Sequence, residues 1–290
     1  MEIKKAVIPA AGLSTRFLPL TKIMPKQLLP VGDKAMIEHV VLEAVEAEMA
    51  QVIFVLSETQ KSILEYFKSK PKLESFLEAR GQKEILEKLK QHDAVFTQVT
   101  LSAVQQLLPK GDGDAVLRAK NQVAKEAFAV LFSDDLFLAK VPAIEQMKQV
   151  FLTAQKPIIG LKRVAPEKVS SYGCVKVEKI ANRLYKIKEI VEKPALNEAP
   201  SDLAICGRYI FTPDIFHYLD KVIPNKKGEV ILADALRGML EDGKIIYGYD
   251  IEGDWLECGK TVDWLKSNIQ VCLDHPEYGP ALKEWVKNLR

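Results

Sequence analysis

The 290-residue chain is poor in several features that usually announce a protein class. It has four cysteines, Cys174, Cys206, Cys258 and Cys272, widely spaced and without a C-x-x-C pair. That usage argues against a disulfide scaffold. With no apolar export segment in view, it leads us to expect reduced thiols in a cytoplasm. The four histidines, His39, His92, His217 and His275, are equally scattered, so zinc is not expected. No apolar run is long enough to span a bilayer. Neither sign of charge dominates: 41 Lys and Arg against 39 Asp and Glu leave +2. That balance speaks against a nucleic-acid coat or a polybasic membrane anchor. The opening stretch carries neither the G-x-G-x-x-G fingerprint nor the P-loop glycine pattern.

What is present is an ordinary soluble balance, 48% hydrophobic and 28% charged. A chain of this length buries one large core, or a main domain with a smaller appendage. The pattern alternates. "KAVIPA" and "QVIFVLS" read as buried strands. "AMIEHVVLEAVEAEM" has apolar residues at helical spacing, and "TQKSILEYFKS" reads as the next helix. A single charged helical stretch is expected over 72–91. "AVFTQVTLS" and "FAVLFSDDLF" read as strands, "AIEQMKQVFLTAQ" as a helix and "KPIIGLKRV" as a strand. This β-then-α order predicts an α/β fold, a Rossmann-like, mostly parallel sheet flanked by helices. "YGCVKVEKIANRLYKIKEIVEKP" alternates around a turn and adds antiparallel strands. "LAICGRYIF" is a further strand, "VILADALRGMLEDG" a helix ending at Gly243, and "KIIYGYDIEGDWLECG" holds short strands. We expect one main unit over 1–260 and a helical tail over 261–290.

The opening "KKAVIPAAGLSTRFLPLTKIMPKQLLPVGDK" poses a chemical question. A buried strand runs into Gly12, then into Ser14, Thr15, Arg16, Lys22 and Lys26. A glycine turn exposes amides, and the cations are available for anionic oxygens. On these residues alone, phosphate binding and a plain solvated turn are both open. "SDDLF" sets two adjacent acids after an apolar run, where they demand water, a cation or a cap. By strand alternation Asp135 is expected to point away from Asp134.

"AAGLSTRFLPLTKIMPKQLLPVGDKAMI" resembles the signature of the sugar-phosphate nucleotidylyltransferases. The resemblance continues through "GDGDAVL", "FAVLFSDDLF", "SYGCVKV", "VEKPALNEAPSDLAICGRYIF", "GEVILADAL" and "WLECGK", over nearly the whole chain. The pattern around "EKP" and "LAICGRY" is nearest the branch that joins UTP to glucose 1-phosphate, giving UDP-glucose and pyrophosphate. "PKQLLP" and "WLECGK" lean toward the thymidylyltransferases that make dTDP-glucose. A non-catalytic regulatory homologue is the remaining alternative.

The resemblance implies roles for particular residues. Arg16, Lys26 and Lys193 would hold the reacting phosphates. Ala10, Ala11 and Gly12 would lie along the nucleotide, with Gly111 beside base and ribose. Gln106 would read the pyrimidine edge, its amide offering both a donor and an acceptor. Tyr172, Gly173, Glu192 and Gly207 would receive the hexose, with Pro194 holding the Glu192–Lys193 segment extended. Arg208 would brace its own loop. Asp134 and Glu257 would hold Mg²⁺, whose hard charge suits carboxylate and phosphate oxygens. The family also implies a homo-oligomer. The chain departs from the family pattern at Ser14, Asp112, Asp114 and Glu257. Two acids beside a polyanion must meet a cation or face away.

Overall fold

The computed structural model describes residues 2–289. The first strand, β1 (Lys5–Pro9), leads into the basic loop, the short hairpin β2 (Pro30–Val31) and β3 (Lys34–Ala35), and helix α1 (Met36–Glu46). There follow β4 (Gln51–Leu56), α2 (Ser62–Tyr66), α3 (Pro71–Ala79), α4 (Lys83–Phe96) and β5 (Thr100–Gln105). The middle of the chain forms α5 (Asp112–Arg118), α6 (Lys120–Val123), β6 (Phe128–Leu131), β7 (Asp135–Leu138), α7 (Ala143–Ala154) and β8 (Ile158–Arg163). The hairpin β9 (Gly173–Ala181) and β10 (Leu184–Glu192) precedes β11 (Leu203–Phe211), α8 (Ile215–Leu219) and α9 (Leu232–Glu241). The chain closes with β12 (Tyr247–Asp250), β13 (Asp254–Glu257), α10 (Thr261–Asp274) and α11 (Gly279–Lys287).

Nine strands form one sheet in the order β5-β4-β1-β6-β11-β8-β12-β10-β9. The block β5, β4, β1 and β6 is parallel. β11 enters antiparallel to both β6 and β8, and β10 pairs antiparallel with β12 and β9. Alternation explains why β1, β4 and β6 are apolar at successive positions after their first residues. Ala6, Ile8, Val52, Phe54, Ala129 and Leu131 face one hydrophobic core. Val7, Ile53, Val55, Phe128 and Val130 face a second core across the sheet. A strand buried on both faces admits a polar residue only where a partner satisfies it. Fully burying each of these side chains contributes on the order of 1.5–3 kcal/mol for the larger ones.

Three local expectations are corrected. The charged stretch is two helices, because Gly81 adopts φ +68 and ends α3. The segment read as a strand from Ala94 instead finishes α4. There Phe96 packs edge-on against Phe67 and His92, and pairing begins only at Thr100. His92 and Phe96 stand four apart, the spacing of helix neighbours. "FAVLFSDDLF" is not one strand. β6 pairs with β11, the chain turns over 132–134, and β7 pairs with β13 instead.

Helix α10 docks on the β2–β3 hairpin. Trp264 Nε1 donates to Pro30 O at 3.0 Å, and Asn268 Oδ1 accepts from Gly32 N at 2.7 Å. Ser267 Oγ donates to Glu257 O at 2.8 Å, tying α10 to the end of β13. Among the described residues no helix is long and apolar enough to cross a membrane.

Candidate active site

The parallel strands point their C-terminal ends at one cleft, the place where sheets of this kind leave a crevice for ligands. The cleft has two adjoining lobes of about 490 and 550 Å³. Ala10, Ala11, Gly12, Lys26 and Gln106 line the first. Tyr172, Gly173, Glu192, Lys193, Gly207 and Glu257 line the second. Arg16, Gly111, Asp112, Asp134 and Glu229 are among the residues that line both, so the two lobes meet at a guanidinium set among carboxylates. Every residue singled out from the sequence as a site residue therefore lies on this one cleft.

The basic loop is shaped by its own contacts. Ser14 takes the left-handed conformation, φ 52, and its carbonyl accepts from Phe17 N and Thr21 Oγ1. Phe17 is buried against Trp264, edge to face at 6.1 Å, which anchors the turn that carries Arg16. The Gly12 carbonyl is taken up by Gln60 Nε2 at 2.8 Å. Gly111 adopts φ +96, and a Cβ there would lie 2.4 Å from Val230 O, so no other residue fits this wall.

The acidic turn lies between β6 and β7. Asp134 forms an ion pair with Lys26 at 2.6 Å. Burial opposes its charge, but Lys26 outweighs burial and holds the carboxyl below its ordinary range. Asp135 is corrected: it does not point away. It lines the second lobe together with Asp134. Strand alternation fails here because β6 has ended at Leu131 and Asp134 sits in a turn. Burial first, then the neighbouring Asp134 charge, pushes the Asp135 carboxyl up to about 7. Trp255 Nε1 donates to its Oδ1 at 2.7 Å. Its other oxygen would lie 2.0 Å from a Cβ at position 207, where Gly207 has φ +64.

Glu192 and Lys193 form an ion pair at 2.9 Å at the end of β10. Lys193 is not extended as expected: its φ is +45, and its N–H donates to Tyr172 O at 3.0 Å. That bond to the neighbouring strand overrides the extended bias of a residue before proline. Tyr172 packs its ring on Trp255 and donates its hydroxyl to Glu257. Burial and the Glu257 charge both raise the Tyr172 hydroxyl far above its ordinary pKa.

The departing acids are engaged by donors of the protein itself. Asp112 Oδ1 accepts from Gly113 N and from Leu232 N, at 2.8 and 3.0 Å, the latter at the start of α9. Burial still raises its pKa. Asp114 is buried and pairs with Arg118 at 2.7 Å. Asp114 lies off the cleft lining, whereas Asp112 still lines both lobes, with its Oδ1 held by the two amides. Gln106 also differs from expectation. Its amide nitrogen is already engaged, donating to Gly111 O and Asp114 Oδ2 at 3.0 and 2.7 Å.

From the sequence, several lining residues receive no role, among them Gln27, Ser133, Glu229, Trp255, Lys260 and Asp263. Gln27 is almost wholly buried beside Lys26, with Nε2 on Ala10 O and its Oε1 unpartnered. Its place next to Lys26 in "PKQLLP" was the available signal. Trp255 opens "WLECGK", but its contact with Asp135 arises only through the β7–β13 pairing. Among the described residues no histidine or cysteine lines either lobe. The arrangement suits gathering anions between cations better than nucleophilic attack by a thiol or imidazole.

Comparison with known proteins agrees with this geometry. The family model described as nucleotidyl transferase matches residues 5–272. A UTP–glucose-1-phosphate uridylyltransferase of Staphylococcus saprophyticus is 38% identical, covering 100% of this chain and 99% of its own length. The Bacillus subtilis protein of that name is 37% identical, over 99% and 97% of the two chains. A solved UTP-bound UGPase from Acinetobacter baumannii superposes with a TM-score of 0.91 at 35% identity, covering 99% of this chain and 100% of that one. A UDP-glucose pyrophosphorylase complexed with UDP-glucose superposes with a TM-score of 0.83 at 36% identity, over 92% and 97%.

Proposed function

Because this chain belongs to the nucleotidyl transferase family, we infer that it transfers a uridylyl group from UTP to glucose 1-phosphate, giving UDP-glucose and pyrophosphate. One observation carries the reading at the level of the site: two lobes of one cleft meet at Arg16 and Asp134. A nucleotide in one lobe and a sugar phosphate in the other would bring their phosphates together there.

The reaction then follows from charge. An oxygen of the sugar phosphate attacks the α-phosphorus in line, a new P–O bond forms, and the bond to pyrophosphate breaks. That oxygen is already ionised, so no protein base has to remove a proton. The obstacle is the repulsion between two polyanions. Arg16, Lys26 and Lys193 are the cations assigned to offset it, and charge developing in the transition state strengthens their contacts. Glu192 and the backbone at Tyr172, Gly173 and Gly207 are assigned to the hexose. Gln106 and the Ala10–Gly12 backbone are assigned to the nucleotide, beside Gly111.

The donor set fits magnesium. Asp134 and Glu257 offer hard carboxylate oxygens on the same lobe. Among the described residues no group of three or more potential ligands is assembled. Magnesium commonly takes only one or two carboxylates and completes its shell with water and phosphate oxygens. When bound, it would neutralise phosphate charge. Lys26 and Tyr172 hold the two carboxylates in place meanwhile. We assign the chemistry to 1–260 and treat 261–290 as a helical tail, although Asp263 of α10 reaches the cleft edge. Four free cysteines, three of them buried, support a reducing cytoplasmic setting. The tail's exposed apolar residues support a homo-oligomer.

The test is pyrophosphate release on mixing the protein with UTP, glucose 1-phosphate and Mg²⁺. Release with UTP well above that with dTTP supports uridylyl transfer. Faster release with dTTP assigns the chain to thymidylyl transfer, and none with any triphosphate points to a regulatory homologue.

A further inference from the structure

Gln106 directly follows β5, and its side chain is fixed by neighbours on the next turn of chain. Its Nε2 donates to Gly111 O at 3.0 Å and to Asp114 Oδ2 at 2.7 Å. An amide nitrogen has two hydrogens, so both are spent inside the protein. The opposite flip would face the amide oxygen against a carbonyl and a carboxylate, three acceptors with no hydrogen among them. Asp114 has little freedom to yield. It is 4% exposed, and Arg118 grips it through Nη2 at 2.7 Å and Nε at 3.3 Å. Among the described residues Oε1 of Gln106 has no partner, and the residue lines the nucleotide lobe. What this side chain has left for a ligand is an acceptor alone.

We propose that Asp114, braced by Arg118, is a positioning residue that makes Gln106 an acceptor-only reader and so selects bases carrying a hydrogen on ring nitrogen N3. This rests on the nucleotide assignment of the first lobe. Uracil has N3–H and can donate to Oε1. Cytosine has a bare N3, which would set lone pair against lone pair. Thymine has the same N3–H, so this contact does not separate UTP from dTTP. Sites that hydrogen-bond one partner reject an analogue lacking the donor, because buried polar groups are left unpaired.

The experiment compares UTP with CTP on the full-length chain, with Mg²⁺ and glucose 1-phosphate. Binding by calorimetry and turnover by pyrophosphate release are both recorded. Wild type is expected to favour UTP over CTP by about 100-fold or more. Asp114→Asn replaces the carboxylate by an amide that can meet either end of Gln106, which leaves only the Gly111 carbonyl to oppose a turned side chain. The preference should then narrow about 10-fold. Arg118→Ala, a change at a half-exposed side chain, should narrow it in the same direction by less, and Arg118→Lys should recover part of it. A merely structural role would weaken both nucleotides equally and leave their ratio unchanged. That result in both Asp114→Asn and Arg118→Ala overturns the proposal, as does wild type that binds CTP as well as UTP or binds neither. If selective UTP binding persists while no pyrophosphate is released, the transfer reading fails and this inference stands.

Discussion

Replacing Lys26 by alanine removes a cation 2.6 Å from Asp134 and leaves that carboxylate without its partner. Turnover is expected to fall by the worth of one preorganised electrostatic contact, about 2–4 kcal/mol of transition-state stabilisation. Lys193→Ala should also lower kcat. It should cost little stability, because Lys193 is largely exposed and its pairing with Glu192 is of the weak surface kind. Near-normal kcat in both variants would remove these lysines from the phosphate site. Asp135 supports a pH prediction. Its folded pKa is raised toward 7, so the folded state keeps a proton that the unfolded chain loses near the ordinary carboxylate value. The stability this contributes is present at pH 4 and is lost as pH rises through 7. Asp135→Asn should therefore unfold at a higher temperature than wild type at pH 8, with the gain gone near pH 4. A gain that is equal at both pH values would contradict the assignment.

The turn between β6 and β7 shows how elements hold the acid in place. Arg208 of β11 is fully buried and pairs with Glu43 of α1 at 2.8 Å. The same guanidinium donates to Phe132 O at 3.1 Å and Asp135 O at 2.7 Å, clasping both sides of the turn that carries Asp134. Glu43 in turn accepts from Ile144 N at 3.0 Å, at the start of α7. Four elements thus converge on one buried pair. Breaking such a pair on one side leaves an uncompensated charge, and Glu43→Gln is expected to cost about 3–5 kcal/mol in urea unfolding. Arg208→Lys cannot span the carboxylate and both carbonyls, so it should lower kcat along with stability. A variant that unfolds like wild type and keeps its kcat would show that the turn holds itself. The expectation that Arg208 braces its own loop is corrected: it lies in β11 and braces the turn between β6 and β7. Its reach back to α1 was not legible, because Glu43 lies 165 residues away.

At the scale of the whole molecule, α10 covers the β2–β3 hairpin, and α10 and α11 leave an apolar stripe outside. Val262, Leu265 and Ile269 are exposed along α10, and Trp285 and Val286 along α11. Spacing of three and four residues puts the first three on one helix face. A homo-oligomer would cover that face, and sedimentation should then give a multiple of 32.5 kDa. The double change Leu265→Lys and Ile269→Lys should shift the protein toward the monomer. A wild-type monomer at micromolar concentration would refute the oligomer.

Apolar periodicity determined the α/β class, the strand order along the chain and the hairpin near Ala181, because alternation and helical spacing are local and survive in one dimension. The motif residues marked the cleft for the same reason: each strand's end carries its loop with it. Folding decided what those residues touch. Gly81 split a charged helix, and the run from Phe128 folded back into two strands pairing with different partners. Asp135 turned into the cleft once Asp134 fell in a turn instead of a strand. Gln106 kept its acceptor and lost its donors to Gly111 and Asp114. Residue type states what a side chain can donate or accept. Only the packed chain determines how much of that capacity is already spent, since hydrogen-bond partners are chosen by distance in space.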